Sequence, residues 1–347
     1  MENTRKKKIW PVILGTIGGV VLLAILIVVF SVMGIFSRMR QDLVETVTGP
    51  SDQPDAAQIA APTADPFEEA LSTDTDYYET GEITKVPIYT QEKIDRFITS
   101  ILVVVKNGSL EDGINQTDMI FVVSWNALLQ KFTVIAIPRD TLVPLGDYGW
   151  KRINAAYTYG DRGMLINTIN DVFGLDIQNY VLTGTDELSK MADEIGGIPV
   201  ILTDGEASYL NQQLGCELSA GTQKLSGEQV ITYLLDRTSD GKGALGRADC
   251  QLSVIHGTFG YLTETFDESF LRPFMNVVTK GIRSNMDFEL LTGIGYEMVM
   301  SDDLSFVTLR VPFDDSFSEM TYDGGYAILP EFEKNRILLQ QALYGKE

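Results

Sequence analysis

The segment of residues 224–251 carries the residue types that could hold a doubly charged phosphate group. Arg237 precedes a glycine-broken turn that contains Asp240, and Arg247 opens a predicted helix that includes Gln251. Guanidinium groups bind phosphate oxygens in a bidentate manner and keep their charge at any relevant pH. Two arginines at the ends of one loop could therefore clamp such an anion. The same pattern is also compatible with a solvated connection that carries ordinary surface arginines.

A second group of candidate residues follows an apolar segment. Arg139 and Asp140 come directly after residues 131–137, which read as a buried strand. In open α/β sheets the carboxyl ends of the strands form the edge that faces ligands. A buried contact between an arginine and an aspartate at a strand end can equally be structural, and the sequence leaves both interpretations open.

The elements that would position these residues can be read from hydrophobic patterns. Continuous apolar runs at 98–105, 118–125 and 131–137 predict buried strands, and the last two predict an antiparallel hairpin. Further strands are predicted at 179–182, 198–202 and 305–311. Helices are predicted at 162–173, 186–195, from 227 onward behind a Ser226-x-x-Gln229 capping box, at 247–261, at 288–300 and at 330–344. Strands that alternate with helices predict a layered α/β domain.

Residues 9–36 predict an uncleaved membrane anchor. They contain no charged side chain, and 28 residues at about 1.5 Å each exceed the roughly 30 Å hydrocarbon core of a bilayer. Four basic residues at 5–8 precede the span, against Arg38 and Arg40 after it, which predicts a cytoplasmic tail at 1–8 and an extracytoplasmic remainder. Residues 37–82 are predicted to form an acidic linker, and residues 83–347 one folded domain.

The charge balance limits the partners of this protein. The net charge is −21, and residues 1–40 carry six basic side chains and one acidic side chain, so the remainder carries −26. Nucleic acid and anionic headgroups would repel such a domain, which weighs against DNA binding. An anionic ligand would need a local basic pocket.

The cysteines and the histidine give little further information. Cys216 and Cys250 could form a disulfide in an extracytoplasmic compartment or remain two free thiols. Neither has the spacing of a metal ligand, and a single histidine, His256, excludes a His-rich zinc site.

Several motifs in a fixed order resemble the LytR-CpsA-Psr family of membrane-anchored cell-wall proteins. The matching motifs are the strand opened by Asp118, I-P-R-D-T at 137–141, I-N-A-A-Y at 153–157, G-G-I at 196–198, L-S-G-E-Q at 225–229, and R-x-x-D…G-R-x-x-x-Q at 237–251. The resemblance implies a three-layer α/β/α domain with a mixed central sheet, preceded by one N-terminal transmembrane helix. It also implies a phosphotransferase that moves an anionic glycopolymer from a polyprenyl-pyrophosphate carrier at the cell membrane onto peptidoglycan, with an apolar tunnel for the lipid tail.

The resemblance also implies roles for individual residues. Arg139, Arg237 and Arg247 would hold the phosphates, with Asp140 as an orienting residue and Asp240 and Gln251 as supports. Asp118 would bind Mg²⁺ together with the residue at position 107, which is Asn107 in this chain. Arginines and Mg²⁺ suit this chemistry, because breaking a pyrophosphate requires positioning and charge neutralisation.

The chain departs from the family's pattern at several of these positions. Asn107 replaces the usual metal-binding aspartate, and hard cations favour carboxylates. The other departures are Val105 for a glycine, Gln116, Leu235 and Cys250 for arginines, and Ala244 for an acidic residue. Because Asp118, Arg139, Arg237 and Arg247 are retained, a phosphotransferase is the leading hypothesis. The alternative is a non-catalytic member that binds lipid-linked polymer or wall as a scaffold or regulator. A role in transcription conflicts with the predicted outward orientation.

Overall fold

The structure of this chain is a computed structural model that describes residues 46–47, 86–89, 93–111, 116–236, 243–265, 281–287, 289–290, 293–294, 297, 301 and 304–345. The predicted tail 1–8 and membrane span 9–36 lie outside these ranges, and so does the predicted linker 37–82 apart from residues 46–47. Within the described residues, no helix is both long and apolar enough to cross a membrane.

A mixed sheet forms the centre of the domain. The strands of the described chain are β1 (Thr46–Val47), β2 (Ile88–Tyr89), β3 (Ile98–Lys106), β4 (Thr117–Asn126), β5 (Lys131–Ile137), β6 (Leu142–Pro144), β7 (Trp150–Arg152), β8 (Asn179–Gly184), β9 (Ile198–Leu202), β10 (Gly221–Leu225), β11 (Arg283–Ser284), β12 (Ser305–Arg310), β13 (Phe317–Tyr322) and β14 (Gly325–Pro330). The central sheet has the order β11-β8-β3-β4-β5-β12. Its β3–β8 and β5–β12 pairs are parallel, and its other pairs are antiparallel.

The central strands are buried on both faces, which explains their continuous apolar sequences. Every residue of β4 is buried, and so are all residues of β5 except the first. Alternate side chains point to opposite faces of a strand, so burial on both faces removes the usual polar alternation. The predicted strands and the predicted antiparallel hairpin at 118–137 are confirmed.

Helices cover both faces of this sheet. The helices of the described chain are α1 (Asn154–Phe173), α2 (Thr185–Glu194), α3 (Asp204–Leu214), α4 (Gly227–Leu234), α5 (Gly243–Thr265) and α6 (Phe332–Tyr344). Residues of α2 to α5 pack with Val105 and Val123 on one face, and residues of α1 and α6 pack with Val104 and Val122 on the other. We call these the α5 face and the α1 face. The predicted mixed α/β fold with a central mixed sheet is confirmed.

Local sequence signals account for several helix ends. The Ser226 hydroxyl accepts a hydrogen bond from the Gln229 backbone, and the Gln229 side chain accepts one from the Ser226 backbone, which confirms the predicted capping box. Helix α5 also needs a glycine, because a Cβ on Gly257 would lie 1.9 Å from the carbonyl oxygen of Pro199. This close approach seats α5 against β9.

Some elements differ from their predicted bounds. Helix α1 begins eight residues before the predicted 162 and bends at Gly160 and Asp161, whose backbone angles are not helical. The apolar periodicity is clear only after this bend, so the first turns were not apparent. Helix α3 and the β6–β7 and β13–β14 hairpins were not predicted. The predicted helix 288–300 lies largely outside the described residues.

Candidate functional site

A β-bulge places a carboxylate at one edge of the central sheet. The carboxyl ends of β3 and β5 and the amino end of β4 meet at this edge, because β4 is antiparallel to both. Val105 pairs with Met119, whereas Lys106 pairs with Thr117, so Asp118 is the extra residue of the bulge. A bulge re-aims a side chain relative to the regular alternation. Asp118 is buried at the end of the sheet as a result.

Arg139 forms an ion pair with this carboxylate. It follows the end of β5, and its Nη1 donates to Oδ1 of Asp118. The Arg139 side chain is 25% exposed, whereas that of Asp118 is 7% exposed. Its Nε is buried and has no hydrogen-bond partner among the described residues. Arg139 is therefore held by its ion pair with Asp118 and open to solvent on part of its surface.

Asp140 connects Arg139 to helix α5. Its Oδ1 lies 3.8 Å from Nε of Arg139, and its Oδ2 accepts a hydrogen bond from Nη2 of Arg247 at 3.2 Å. Burial raises the pKa of the Asp140 carboxyl above its ordinary value, and the positive charges of Arg247 and Arg152 limit this rise. Asp118, Arg139, Asp140 and Arg247 thus form a chain of alternating charge, which we call the ionic network.

The β6–β7 hairpin fixes the backbone that follows this network. The Ile153 N–H donates to the Thr141 carbonyl oxygen at 2.7 Å, which closes the segment between β5 and α1. Arg152 donates from Nε to the Tyr326 carbonyl and from Nη2 to the Tyr322 carbonyl, both at 2.8 Å. The I-N-A-A-Y motif therefore begins α1 directly behind the ionic network, and Arg152 attaches the β13–β14 hairpin to the same edge.

An apolar cavity of about 130 Å³ begins beside the ionic network. It lies on the α5 face, between the sheet and helices α2 and α5. Met119, which follows Asp118, and Gln251, one helical turn after Arg247, both line it. The other lining residues are Val103, Val105, Phe121, Val123, Val134, Val181, Thr183, Leu188, Met191, Ile198, Leu234, Val254, Ile255, Thr258 and Ile282. The site therefore joins a charged edge to an apolar space.

The structure brings together only part of the predicted site. Asp118, Arg139, Asp140 and Arg247 are in contact as a network, and Gln251 is adjacent. Arg237 and Asp240 lie outside the described residues, in the segment 237–242 between α4 and α5. The functional roles of all these residues remain predictions.

The oxygen donors at this edge fit a magnesium ion only in part. Asn107 is exposed just beyond β3, and its backbone N–H donates to the Gln116 carbonyl at 2.9 Å. Asp118 already pairs with Arg139, and no cluster of three or more acidic, histidine or cysteine side chains occurs in the described part of the chain. Mg²⁺ is commonly bound by one or two carboxylates plus substrate phosphates. One carboxylate and one amide oxygen would thus need phosphate oxygens to complete a site.

Sequence reasoning missed two cationic side chains at this edge. Lys106 ends β3 and is only 4% exposed, and Arg310 ends β12 with its side chain 13% exposed. Lys106 ends a largely buried strand, whereas no residue of the strand that Arg310 ends is buried. A charged residue at the end of a predicted strand was the available signal, but it does not by itself distinguish a ligand-binding group from a solvated end.

The two cysteines are free thiols, so the possible disulfide is absent. Cys216 is partly exposed. Cys250 is buried on α5, and its Sγ lies 3.5 Å from Oε1 of Glu206, which also accepts a hydrogen bond from the Tyr233 hydroxyl at 3.0 Å. The position at which the resemblance expects an arginine is thus a small side chain inside the domain.

Comparisons with known proteins agree with this architecture. A relative from Oceanobacillus iheyensis, named polyisoprenyl-teichoic acid–peptidoglycan teichoic acid transferase TagU, is 23% identical over 296 residues, which cover 84% of this chain and 81% of the relative. Biofilm regulatory protein A of Streptococcus mutans is 27% identical over 191 residues, 51% of this chain and 46% of that protein. Bacillus subtilis TagT with bound octaprenyl pyrophosphate lipid superposes with a TM-score of 0.55 at 16% identity, covering 73% of this chain and 94% of that one.

The family assignment rests on a match that covers most of the sequence. Residues 70–336 match the LytR_cpsA_psr family, and this range includes the ionic network and the cavity. The order of the motifs, the mixed sheet and the similar structures agree with that match. This chain belongs to the LytR_cpsA_psr family.

Proposed function

We propose that this protein is a phosphotransferase that moves an anionic glycopolymer from a polyprenyl-pyrophosphate carrier onto peptidoglycan. The observation that carries the proposal is an apolar cavity next to the ionic network, lined by Met119, which follows Asp118, and by Gln251, one helical turn after Arg247. A polyprenyl pyrophosphate has the same two parts, a compact anion and an apolar chain. The names of the TagU relative and of the lipid-bound TagT structure support this substrate class.

Arg139 is the residue assigned to the pyrophosphate. Its partly exposed guanidinium has a buried Nε without a hydrogen-bond partner among the described residues, and a phosphate oxygen would supply an acceptor. Asp118 and Asp140 fix its position, so little reorganisation is needed when the substrate binds. Arg247, at 3% exposure, is assigned mainly to holding Asp140 and to adding positive potential.

The reaction assigned to this site is transfer of a phosphoryl-linked polymer. A hydroxyl oxygen of the acceptor sugar attacks the phosphorus atom that carries the polymer, and the bond from that phosphorus to the bridging oxygen breaks. Polyprenyl phosphate leaves with the bridging oxygen, and the proton of the hydroxyl passes to the leaving phosphate or to solvent. The arginines stabilise the negative charge that accumulates on these oxygens.

The proposal includes a Mg²⁺ ion that this chain would bind weakly by itself. Asp118 and Asn107 would hold it together with substrate phosphate oxygens, and it would neutralise charge there. Because Asn107 contributes no negative charge, we expect weak binding in the absence of substrate.

We assign the cavity to binding of the lipid chain. The predicted anchor would attach the protein to the membrane. Apolar side chains surround the cavity, and burial of an isoprenoid chain against them is favourable by about 25 cal/mol per Å². A span at residues 9–36 would place residues 37–347 on the extracytoplasmic side, where lipid-linked polymer and peptidoglycan meet. A reporter fused after residue 347 tests this orientation.

A binding protein without catalysis is the second candidate. Asn107, Leu235 and Cys250 favour it, since they remove charges that the resemblance associates with the anionic site. Such a protein would hold the same lipid-linked polymer but would not transfer it.

The experiment that separates these candidates uses the full chain in detergent with a short polyprenyl-pyrophosphate saccharide and peptidoglycan fragments. We expect product, and a loss of roughly 100-fold or more in rate for Arg139→Ala, by analogy with removal of one donor from a preorganised anion site. The melting temperature of the variant should stay close to that of the wild type. Tight lipid binding without product at high Mg²⁺ would instead establish the second candidate.

A further inference from the structure

Arg310 lies at the same end of the central sheet as Arg139, on a strand that none of the family motifs includes. Strand β12 is parallel to β5, Arg310 is in register with Ala136, and the Val311 N–H extends the pairing to the Ala136 carbonyl at 3.0 Å. Phe306 and Ala136 both belong to the α5 face. Because alternate residues of a strand share a face, Arg310 also points to the α5 face.

The contacts of Arg310 agree with this direction. Its Nε lies 3.4 Å from Oδ1 of Asp249 on α5, and its Nη2 lies 2.8 Å from Oδ1 of Asp314. The carboxylate side chains are 45% and 85% exposed. Its Nη1 is buried and has no hydrogen-bond partner among the described residues. Arg310 is thus a largely buried guanidinium whose partners are exposed and which retains an unused donor.

Two further observations connect Arg310 to the ionic network. Asp249 lies two residues after Arg247 on α5, so Arg310 contacts the helical turn that carries Arg247, on a more exposed side of the helix. Burial raises the pKa of the Tyr326 phenol, its hydrogen bond to Glu319 and the charge of Asp140 add to this rise, and Arg310 opposes it. Tyr326 lies on the β13–β14 hairpin, where its backbone carbonyl accepts a hydrogen bond from Nε of Arg152.

This position matters because α5 has Arg247 but lacks a second cation that the resemblance expects on it. The resemblance expects an arginine at position 250, but Cys250 is buried and contacts Glu206. It also expects one at Leu235. A guanidinium that arrives from β12 beside Asp249 would restore positive charge to this part of the edge.

We propose that Arg310 is a further phosphate-binding residue of this site, which contacts a phosphate of the lipid-linked substrate. The inference rests on the proposed function. Surface ion pairs contribute only about 0–1 kcal/mol, so a phosphate can displace Asp314 or Asp249 at small cost. Arg310 would then use its planar fork of donors for the oxyanion.

The test measures binding of farnesyl pyrophosphate and farnesyl monophosphate to the full chain in detergent. We expect Arg310→Gln to weaken pyrophosphate binding about 10- to 100-fold, the size of one or two lost charge-assisted hydrogen bonds, and to weaken monophosphate binding less. Arg310→Lys should lie between wild type and Arg310→Gln. Asp314→Asn should tighten binding, because it removes a competing carboxylate without touching the guanidinium.

Arg283→Gln is the matched control. Arg283 also lies on an edge strand and also pairs with an exposed carboxylate, Glu111, at 2.7 Å. It is on β11, five strand spacings or about 24 Å from β12, and should not affect binding.

The outcomes separate this inference from the proposed function. If Arg139→Ala loses binding while Arg310→Gln and Asp314→Asn equal wild type, Arg310 is a structural residue and the proposed function stands. If wild type binds no farnesyl pyrophosphate, both are overturned. If Arg310→Gln fails to fold, an unchanged affinity of Asp314→Asn still rejects the inference.

Discussion

The two faces of the central sheet are made from alternate residues of the same strands, yet they are packed differently. On the α1 face, Val104 and Val122 are 1% and 0% exposed and pack against α1. On the α5 face, their neighbours Val105 and Val123 line the cavity of about 130 Å³. Residue type is the same on both sides, so the covering helices decide whether a valine fills a core or borders a cavity.

The largest expected effect concerns an ion pair on the α1 face. Arg162 pairs with Asp161 and lies over the Tyr180 ring at 5.0 Å, with both charged side chains at most 10% exposed. Asp161 also adopts φ 58° and ψ −163°, a region that suits glycine. We expect Arg162→Ala to lower the free energy of unfolding by about 3–5 kcal/mol, because it leaves a buried carboxylate without its cation.

Urea unfolding of Arg162→Ala and Arg139→Ala in parallel tests this contrast. Arg139→Ala should lower the free energy of unfolding less, since the Arg139 side chain is 25% exposed, whereas that of Arg162 is 7% exposed, and water can reach the carboxylate that it leaves. Equal losses for the two variants would mean that the ionic network is as structural as the pair on the α1 face.

A matched pair of enlargements tests the difference between the faces directly. Val122→Phe should lower stability by about 1–3 kcal/mol, because it overpacks a filled core. Val123→Phe should keep a melting temperature near that of wild type, because the ring can occupy the cavity. Thermal unfolding together with farnesyl pyrophosphate binding measures both properties.

Binding of the prenyl chain should also differ between Val122→Phe and Val123→Phe. Val123→Phe should bind the prenyl chain more weakly while inorganic pyrophosphate binding is unchanged. A loss of stability equal to that of Val122→Phe would contradict the view that the α5 face holds usable space.

A smaller effect is expected at position 107, where this chain has an asparagine and the resemblance expects an aspartate. Mg²⁺ should raise the melting temperature of wild type very little, whereas Asn107→Asp should gain about 1.4 kcal/mol when Mg²⁺ is near tenfold above its dissociation constant. Thermal unfolding with MgCl₂, against NaCl at equal ionic strength, gives the comparison. An equal response of both proteins would show that position 107 does not contact the metal.

The smallest expected effect is the pH dependence contributed by Asp140. Burial raises its pKa in the folded protein, so the folded state holds the proton more tightly than the unfolded chain does. Asp140 therefore adds stability that is complete below its ordinary pKa of about 3.9 and is lost as the pH rises through the folded value. The difference in unfolding free energy between wild type and Asp140→Asn should fall as pH increases. A difference that rises instead would show that Arg247 and Arg139 outweigh burial.

Much of the fold could be predicted because its signals are local. Burial on both faces makes β3 to β5 continuously apolar, and the Ser226–Gln229 capping box depends only on neighbouring residues. The start of α1 could not be predicted, because the turns before Gly160 and Asp161 are held by packing, with Ala156 and Tyr157 buried. The β13–β14 hairpin was missed for a similar reason, since no residue of β13 is buried and the hydrophobic pattern of both strands is weak.

The sequence by itself determined which residues could act on an anion and the order in which the motifs occur. Residue chemistry and spacing along the chain are properties of the covalent structure, and they identified Arg139, Asp140 and Arg247 before any contact was known. Only the tertiary structure decided that Asp118 occupies a bulge, because a bulge is defined by the register of a partner strand. It also decided that Arg310 lies beside α5 and that a cavity adjoins the ionic network, because both depend on how distant segments pack and on where atoms are absent.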